Sequence, residues 1–483
     1  MLITVSHFAF TASAIVCLVG SVVFLLSPTS FQLYTPLSAG SSFEHEPFSL
    51  AALYESIPYT SSWRSWWHPE RGGRSSIEKG WNLLYHLGGN GPWIEKVDGI
   101  VDGGIGVPEG MLDLLKRIKE SRQKLEGDLE FANDWEYFTQ DPDNHLEQLT
   151  TTGPFAGTLE AFTTGVKLRT RYNHLLGSSG TEKIRLWASD SDRVTDTARY
   201  FSAGLFGLDW EHAAELVVIP ETDDLGADTL TPTDTCTAYL NDLTLGHDYG
   251  SHMLERFRST YLGAIADRLE EQNPHIRFND SEIYSMQEMC GFETTVRGSS
   301  KWCEVFTHAD WLNFEPGNPW GPVMGWLWLN ATTNLLTQGP TAGPLFFSFV
   351  HDSDIVAMVA ALGIFTDSEK LPIDRVPDKR RWRTSQMTPM GGRVIFERLA
   401  CSHPRASSDD DDDDDDAEQQ LYVRVNVNDG IVEIPHCGSG PGSSCPLERF
   451  VALVAQRGAE AGDFREKCNL SKDSPDRITF LHQ

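Results

Sequence analysis

Hydrophobic and polar positions along this chain switch between two periods. Apolar runs near 184 to 188, 214 to 219 and 345 to 350 have the length of buried strands. The first leads through Ser189-Asp190-Ser191-Asp192-Arg193 into a stretch where Val194, Ala198, Phe201, Leu205 and Leu208 recur at helical spacing, which predicts one amphipathic helix. Between His247 and Gln338 the pattern turns mainly helical, as in Met253 to Leu269 and Ser281 to Met289. Near the end, Arg393 to Leu399 and Leu421 to Val427 each alternate with period two, which predicts an antiparallel pair joined by a loop. Strand and helix signals in alternation, interrupted by a helical block, predict an α/β fold with a mostly parallel sheet, helices on both faces and an inserted helical domain.

Composition refines this. With 483 residues and 40% hydrophobic content, the chain can bury a sizeable core. We divide it into 1–30, an arm at 31–80 rich in serine, tryptophan and proline, an α/β domain at 81–246 and 339–483, and the helical insertion at 247–338. Phe8 to Leu26 is apolar and uncharged, and the first lysine or arginine is Arg64, so a signal peptide and a signal anchor both stay open. Either sends the domain to an oxidising compartment, secreted or held at the cell surface, where membrane contact would be limited to the anchor. The sequons at Asn279, Asn330 and Asn469 agree with that route. The formal charge of -30 excludes nucleic acid as a natural partner. Asp409 to Asp416 carry eight of those charges and read as a solvated insert, with calcium binding as the alternative. Arg375, Lys379, Arg380, Arg381 and Arg383 form either a cationic rim or a solvated loop. No internal repeat, glycine-rich phosphate loop or zinc-spaced cysteine set is present, and the tryptophans Trp311, Trp320, Trp326 and Trp328 read as core.

Two strand ends carry the candidate chemistry. The apolar run Leu345 to Val350 stops at His351-Asp352, and in an open parallel sheet ligands bind beyond the carboxyl ends of strands. At the other end, Ser191 or Asp192 can accept the first free amide protons of the predicted helix, leaving Arg193 beside a helix N-terminus that favours anions. The competing reading pairs Arg193 with Asp190, Asp192 or Asp196.

These junctions, with the stretches Tyr85 to Trp93, Leu149 to Gly153, Lys167 to Tyr172 and Thr384 to Gly392, resemble the histidine acid phosphatases. The wording is most similar to their fungal secreted branch, which includes phytases, and the resemblance covers most of residues 80 to 470. It implies a phosphoglycerate mutase-like fold with a helical cap over the pocket mouth. It also implies a small phosphorylated substrate, a phosphomonoester or an inositol phosphate, and no cofactor. In that family a neutral histidine attacks phosphorus in line to form a phosphohistidine, cationic side chains hold the non-bridging oxygens, and a carboxylic acid protonates the departing alkoxide. By resemblance, Arg193 and His351 hold phosphate oxygens and Asp352 is the proton donor. A homo-oligomer stays open.

The family's nucleophile, in an R-H-G-x-R-x-P motif after a strand, has no counterpart. Gly106-Val107-Pro108-Glu109-Gly110 passes directly to Met111, and Arg-His-Gly occurs nowhere. The missing block would hold the nucleophile, two phosphate-binding arginines and a core strand, whose loss should cost the fold heavily. His86, His145 and His174 are the candidate replacements, none in a stretch that the family uses for catalysis. With Cys17 in the apolar segment, seven cysteines remain. Spacing and resemblance imply the pairs Cys437 with Cys445, Cys290 with Cys303 and Cys236 with Cys468. Cys401 is left over, and its usual partner lies in the missing block. Three readings follow: a phosphomonoesterase whose sequence here lacks a coding segment, a non-catalytic phosphate-ligand binder, or a coincidental resemblance in another secreted α/β hydrolase, against which the ordered run of matching stretches argues.

Overall fold

The computed structural model describes residues 107–137, 158–176, 183–244, 246–297, 299–314, 322–369, 371–377, 379–389, 391–402 and 419–483, and the backbone of 83–88. The apolar segment 8–26, the arm at 31–80, His145, the aspartate run and the matching stretches 89–93 and 149–153 lie outside them.

An eight-stranded sheet organises the molecule, in the order β3-β2-β4-β1-β5-β6-β7 with β8 paired to β6. The strands are β1 (Leu83–Gly88), β2 (Ile184–Ser189), β3 (Ala214–Ile219), β4 (Leu345–Val350), β5 (Arg393–Ser402), β6 (Gln419–Val427), β7 (Gly430–Val432) and β8 (Cys445–Pro446). β1 to β4 are parallel, and β5 joins β1 antiparallel, so Arg393 stands opposite Leu87 at the edge where the parallel strands end. The predicted pair at the chain's end is present as β5 and β6. Its connection leaves the sheet at Ser402 and Gln419, which oppose each other at the far edge. At about 3.3 Å per residue, the ends of the aspartate insert are anchored roughly 30 Å from that first edge.

β4 is buried along its whole length because both faces of the sheet are covered. Phe346 and Val350 enter one core with α7 (Pro322–Gln338), α8 (Asp352–Leu362) and α9 (Leu447–Ala461). Leu345, Phe347 and Phe349 enter the other with α2 (Thr158–Leu176) and α3 (Asp192–Phe206). α2 and α3 touch backbone to backbone: a Cβ on Gly165 would stand 2.2 Å from the Phe201 carbonyl oxygen, and one on Gly204 2.0 Å from that of Phe162. That contact fixes where α3 begins, and Arg193 with it.

Two sequence expectations shift. Val194, Ala198, Phe201 and Leu205 are buried as predicted, but Leu208 is 85% exposed. The helix ends at Phe206, and Gly207, at φ +108°, turns the chain away before Leu208 can follow the apolar stripe. The helix expected over 253–269 is two, α4 (His247–Arg258) and α5 (Leu262–Gln272). Between them, the Thr260 hydroxyl donates to the Phe257 carbonyl at 2.6 Å, a local bond that competes with continued helix.

The helical segment divides between two cores. α5 and α6 (Asp280–Arg297) pack with α1 (Val107–Ser121) through Met111, Leu114, Leu262, Ile265, Ile283, Met286 and Trp302. α7 belongs to the sheet, where Trp328 is fully buried. The loss of a central strand expected to cost the fold heavily leaves no gap here: β1 lies between β4 and β5 and pairs with both.

Three disulfides, Cys236–Cys468, Cys290–Cys303 and Cys437–Cys445, match the pairs implied by the resemblance, and Cys401 is free. Burial pushes the Cys401 thiol up from its ordinary range. Alkylation of the unfolded, unreduced chain should therefore mark Cys401 and none of the six paired cysteines. A Cys401 adduct seen only after reduction would contradict this pairing.

Away from the parallel-strand edge, Glu397 of β5 is buried at the centre of a polar network. Tyr172 donates to it at 2.6 Å, Arg171 at 3.1 Å, Arg424 at 2.5 Å and Asn426 at 2.9 Å. This gives the matching stretch Lys167 to Tyr172 a structural role, since it ties α2 to the sheet. Burial opposes the Glu397 charge, but Arg424, Arg171 and the Tyr172 hydroxyl outweigh it and hold the carboxyl below its ordinary 4.5. Its folded pKa lies below its unfolded one, so its stabilisation is full above about pH 4.5 and is lost as pH falls through the folded value. Glu397→Ala should destabilise by about 3 kcal/mol, since it strands buried partners. Glu397→Gln should flatten the fall in stability below pH 4.5, as followed by urea unfolding across pH.

Candidate functional site

The carboxyl ends of β2, β3 and β4 supply the polar groups. β2 ends at Ser189, β4 at Val350, and Pro220 closes β3 just before Glu221. His351 caps α8, whose first residue is Asp352, and Arg193 is the second residue of α3. Because β2 pairs parallel with both β3 and β4, these groups share one sheet edge despite the sequence separating Arg193 from His351. Three of them are withdrawn from solvent: Arg193 is 7% exposed, His351 3% and Asp352 5%.

Side-chain bonds connect them. The His351 imidazole donates from Nε2 to Glu221 Oε1 at 2.5 Å, and Ser189 Oγ lies 3.5 Å from the same nitrogen. The Glu221 amide donates to Asp190 Oδ1 at 3.2 Å, which couples the β2 and β3 loops. Burial works against the Glu221 charge. The hydrogen bond and charge of His351, the Ser189 hydroxyl and the Arg193 guanidinium more than compensate, and the carboxyl sits below its ordinary value. Two residues beyond Asp352, buried Asp354 accepts from the Thr233 hydroxyl at 3.0 Å, which pins the start of α8.

Ser191 holds the cap position but its side chain makes no capping bond, while its carbonyl accepts from the Val194 and Thr195 amides as the helix begins. Of the acids weighed as partners for Arg193, Asp196 bonds Arg199 at 2.9 Å and Asp190 takes the Glu221 amide. In the basic run Lys379 and Arg381 are exposed, while parts of the loop are tied down. Arg380 is buried, Arg375 pairs with Asp374 at 3.1 Å, and the Arg381 and Trp382 amides donate to Asp367.

His174 is exposed at the end of α2 that leads into the start of β2, the opposite edge of the sheet. His86 lies within β1, in register with Ser348. Asn279 and Asn469 are exposed, whereas Asn330 is half-buried inside α7. Among the described residues no helix is long and apolar enough to cross a membrane.

Sequence reasoning missed Glu221 and Ser189. The signal was available, since the strand-end rule that selected His351 applies equally to Ser189 and to the Pro220-Glu221 step.

At this edge one arginine and one imidazole stand around a single carboxylate, with a second acid at the adjoining helix start. A guanidinium and an imidazolium can hold the oxygens of a tetrahedral anion.

Comparison with known proteins identifies relatives of the chain. The profile of the histidine phosphatase superfamily (branch 2) matches residues 106–428. A phytase of Candida albicans is 28% identical over 446 residues, covering 84% of this chain and 91% of its own. An acid phosphatase of Komagataella pastoris is 30% identical over 445 residues, covering 83% and 90%. Among solved structures, the phytase from D. castellii superposes with a TM-score of 0.68 at 25% identity, over 85% of this chain and 88% of that one.

Proposed function

Because the chain belongs to the histidine phosphatase superfamily, branch 2, we propose that the edge formed by β2, β3 and β4 is the phosphate-binding half of an acid phosphatase site. Arg193 and His351 hold the non-bridging oxygens of a phosphomonoester, and Asp352 is placed to protonate its leaving oxygen. The substrate class is a small phosphorylated molecule, with inositol phosphates favoured by the similarity to phytases. Three disulfides support a working place in an oxidising compartment outside the cytosol. Its leader, whether cleaved or retained as an anchor, comes from the apolar segment 8–26.

The observation that carries this reading is the convergence of Arg193, His351 and Asp352, all buried, at the ends of two neighbouring parallel strands. Hydrolysis needs one more group. A phosphohistidine forms when an imidazole nitrogen donates its electron pair to phosphorus as the P–O ester bond breaks, the alkoxide taking the Asp352 proton. No Arg-His-Gly segment supplies that imidazole here. The chain as written is thus a phosphate-ligand binder, and its family's turnover returns with the missing segment between Gly110 and Met111. The continuous sheet, with β1 at its centre, favours this non-catalytic reading of the chain itself.

Release of phosphate from p-nitrophenyl phosphate near pH 5 tests it. The chain as written should be at least about 10⁴-fold slower than one carrying the restored strand and Arg-His-Gly segment, since members of a catalytic unit are not replaced by the survivors. Turnover by the unrestored chain, abolished by Asp352→Ala, would show that another nucleophile is in place.

A further inference from the structure

We propose that Glu221 is the internal counter-ion of this site: its carboxylate holds His351 Nε2 in the ligand-free chain and must release it when a phosphate group enters. The proposal rests on the phosphate-site reading above.

The geometry imposes a choice. A protonated imidazole nitrogen has a single N–H to give, and Glu221 Oε1 takes the one on Nε2 at 2.5 Å. A phosphate oxygen seeking that proton meets an anion already there, with the Arg193 charge also shared between the two. Three other groups lie at this edge beside the pair. Ser189 is a neutral hydroxyl, the Asp190 carboxylate is engaged by the Glu221 amide, and Asp352 belongs to the adjoining helix start.

Glu221 is also built to yield. It lies in the loop after β3, its side chain is 25% exposed beside a His351 exposed by only 3%, and its backbone is held through Asp190. The side chain can therefore swing outward while the chain path stays fixed. Its carboxyl is held below the ordinary value, so it remains charged near pH 5 and competes there. Glu221 thus sets how tightly the site takes an anion, and it favours ligands with enough charge to displace a carboxylate.

Inorganic phosphate is the probe, titrated calorimetrically at pH 5 into the full chain, Glu221→Gln and Glu221→Asp. The glutamine variant should bind phosphate about tenfold more tightly, within the range of a single site-to-site coupling. The aspartate variant, which restores the charge, should return toward the parent. Equal or weaker binding by Glu221→Gln would overturn the proposal and make Glu221 an orienting group for His351. Failure of every form to bind phosphate would remove the phosphate-site reading and this proposal with it. A second readout needs no variant. In histidine-labelled parent chain, the Nε2 resonance of His351 should move as phosphate saturates; movement confined to Nδ1, or none, would overturn the exchange of partners.

Discussion

Burial of β4 on both faces is the constraint from which the rest of the molecule follows. A strand of Leu345-Phe346-Phe347-Ser348-Phe349-Val350 cannot leave either face to water, so helices must cover each side and the sheet must continue past it in both directions. Its neighbours are β2 on one side and β1 on the other. Where the apolar run ends, the chain emerges at an edge lined by helix starts, and the first polar residues it offers are His351 and Asp352. The covering that stabilises the strand also buries those two groups, which is what makes their charge states matter.

Two carboxylates show how burial is offset in different ways. Glu397 of β5 is surrounded by donors from α2 and β6, every one a permanent part of the fold, and it works as a structural tie. Glu221 has as its main partner a histidine at the sheet edge and keeps one side toward solvent. The first arrangement leaves nothing to exchange with a ligand. The second leaves a carboxylate partly open to solvent beside a histidine and an arginine, which is the arrangement that the proposed exchange with a phosphate ester requires.

The absent nucleophile segment has a structural counterpart. A sheet lacking its central strand would expose the sides of β4 and β5, with unpaired backbone groups in the middle of the molecule. Leu83–Gly88 pairs in register with both strands and satisfies them. Continuity of the sheet and completeness of the catalytic set are therefore separate properties. This chain has a continuous sheet although Arg-His-Gly occurs nowhere in its sequence.

Much of this was legible in the chain because it is local. The strands at 184–189, 214–219 and 345–350 and the β5–β6 pair announce themselves through short-range pattern, and the absence of Arg-His-Gly is a fact of sequence that no folding changes. The exposure of Leu208 and the break between α4 and α5 escaped because a turn of the backbone and one hydroxyl bond outweigh a periodic stripe. Glu221 escaped because its meaning depends on a partner distant in sequence, brought near only by parallel pairing of β2 with β3 and β4. The allotment of α1 to the helical core and α7 to the sheet core was decided by which apolar faces could be covered together, a property of packing that neither helix carries alone. Sequence determined which polar residue types stand at the strand ends and that Arg-His-Gly is not among them; tertiary structure decided which of them meet, because charges act on one another only at the distances that the fold sets.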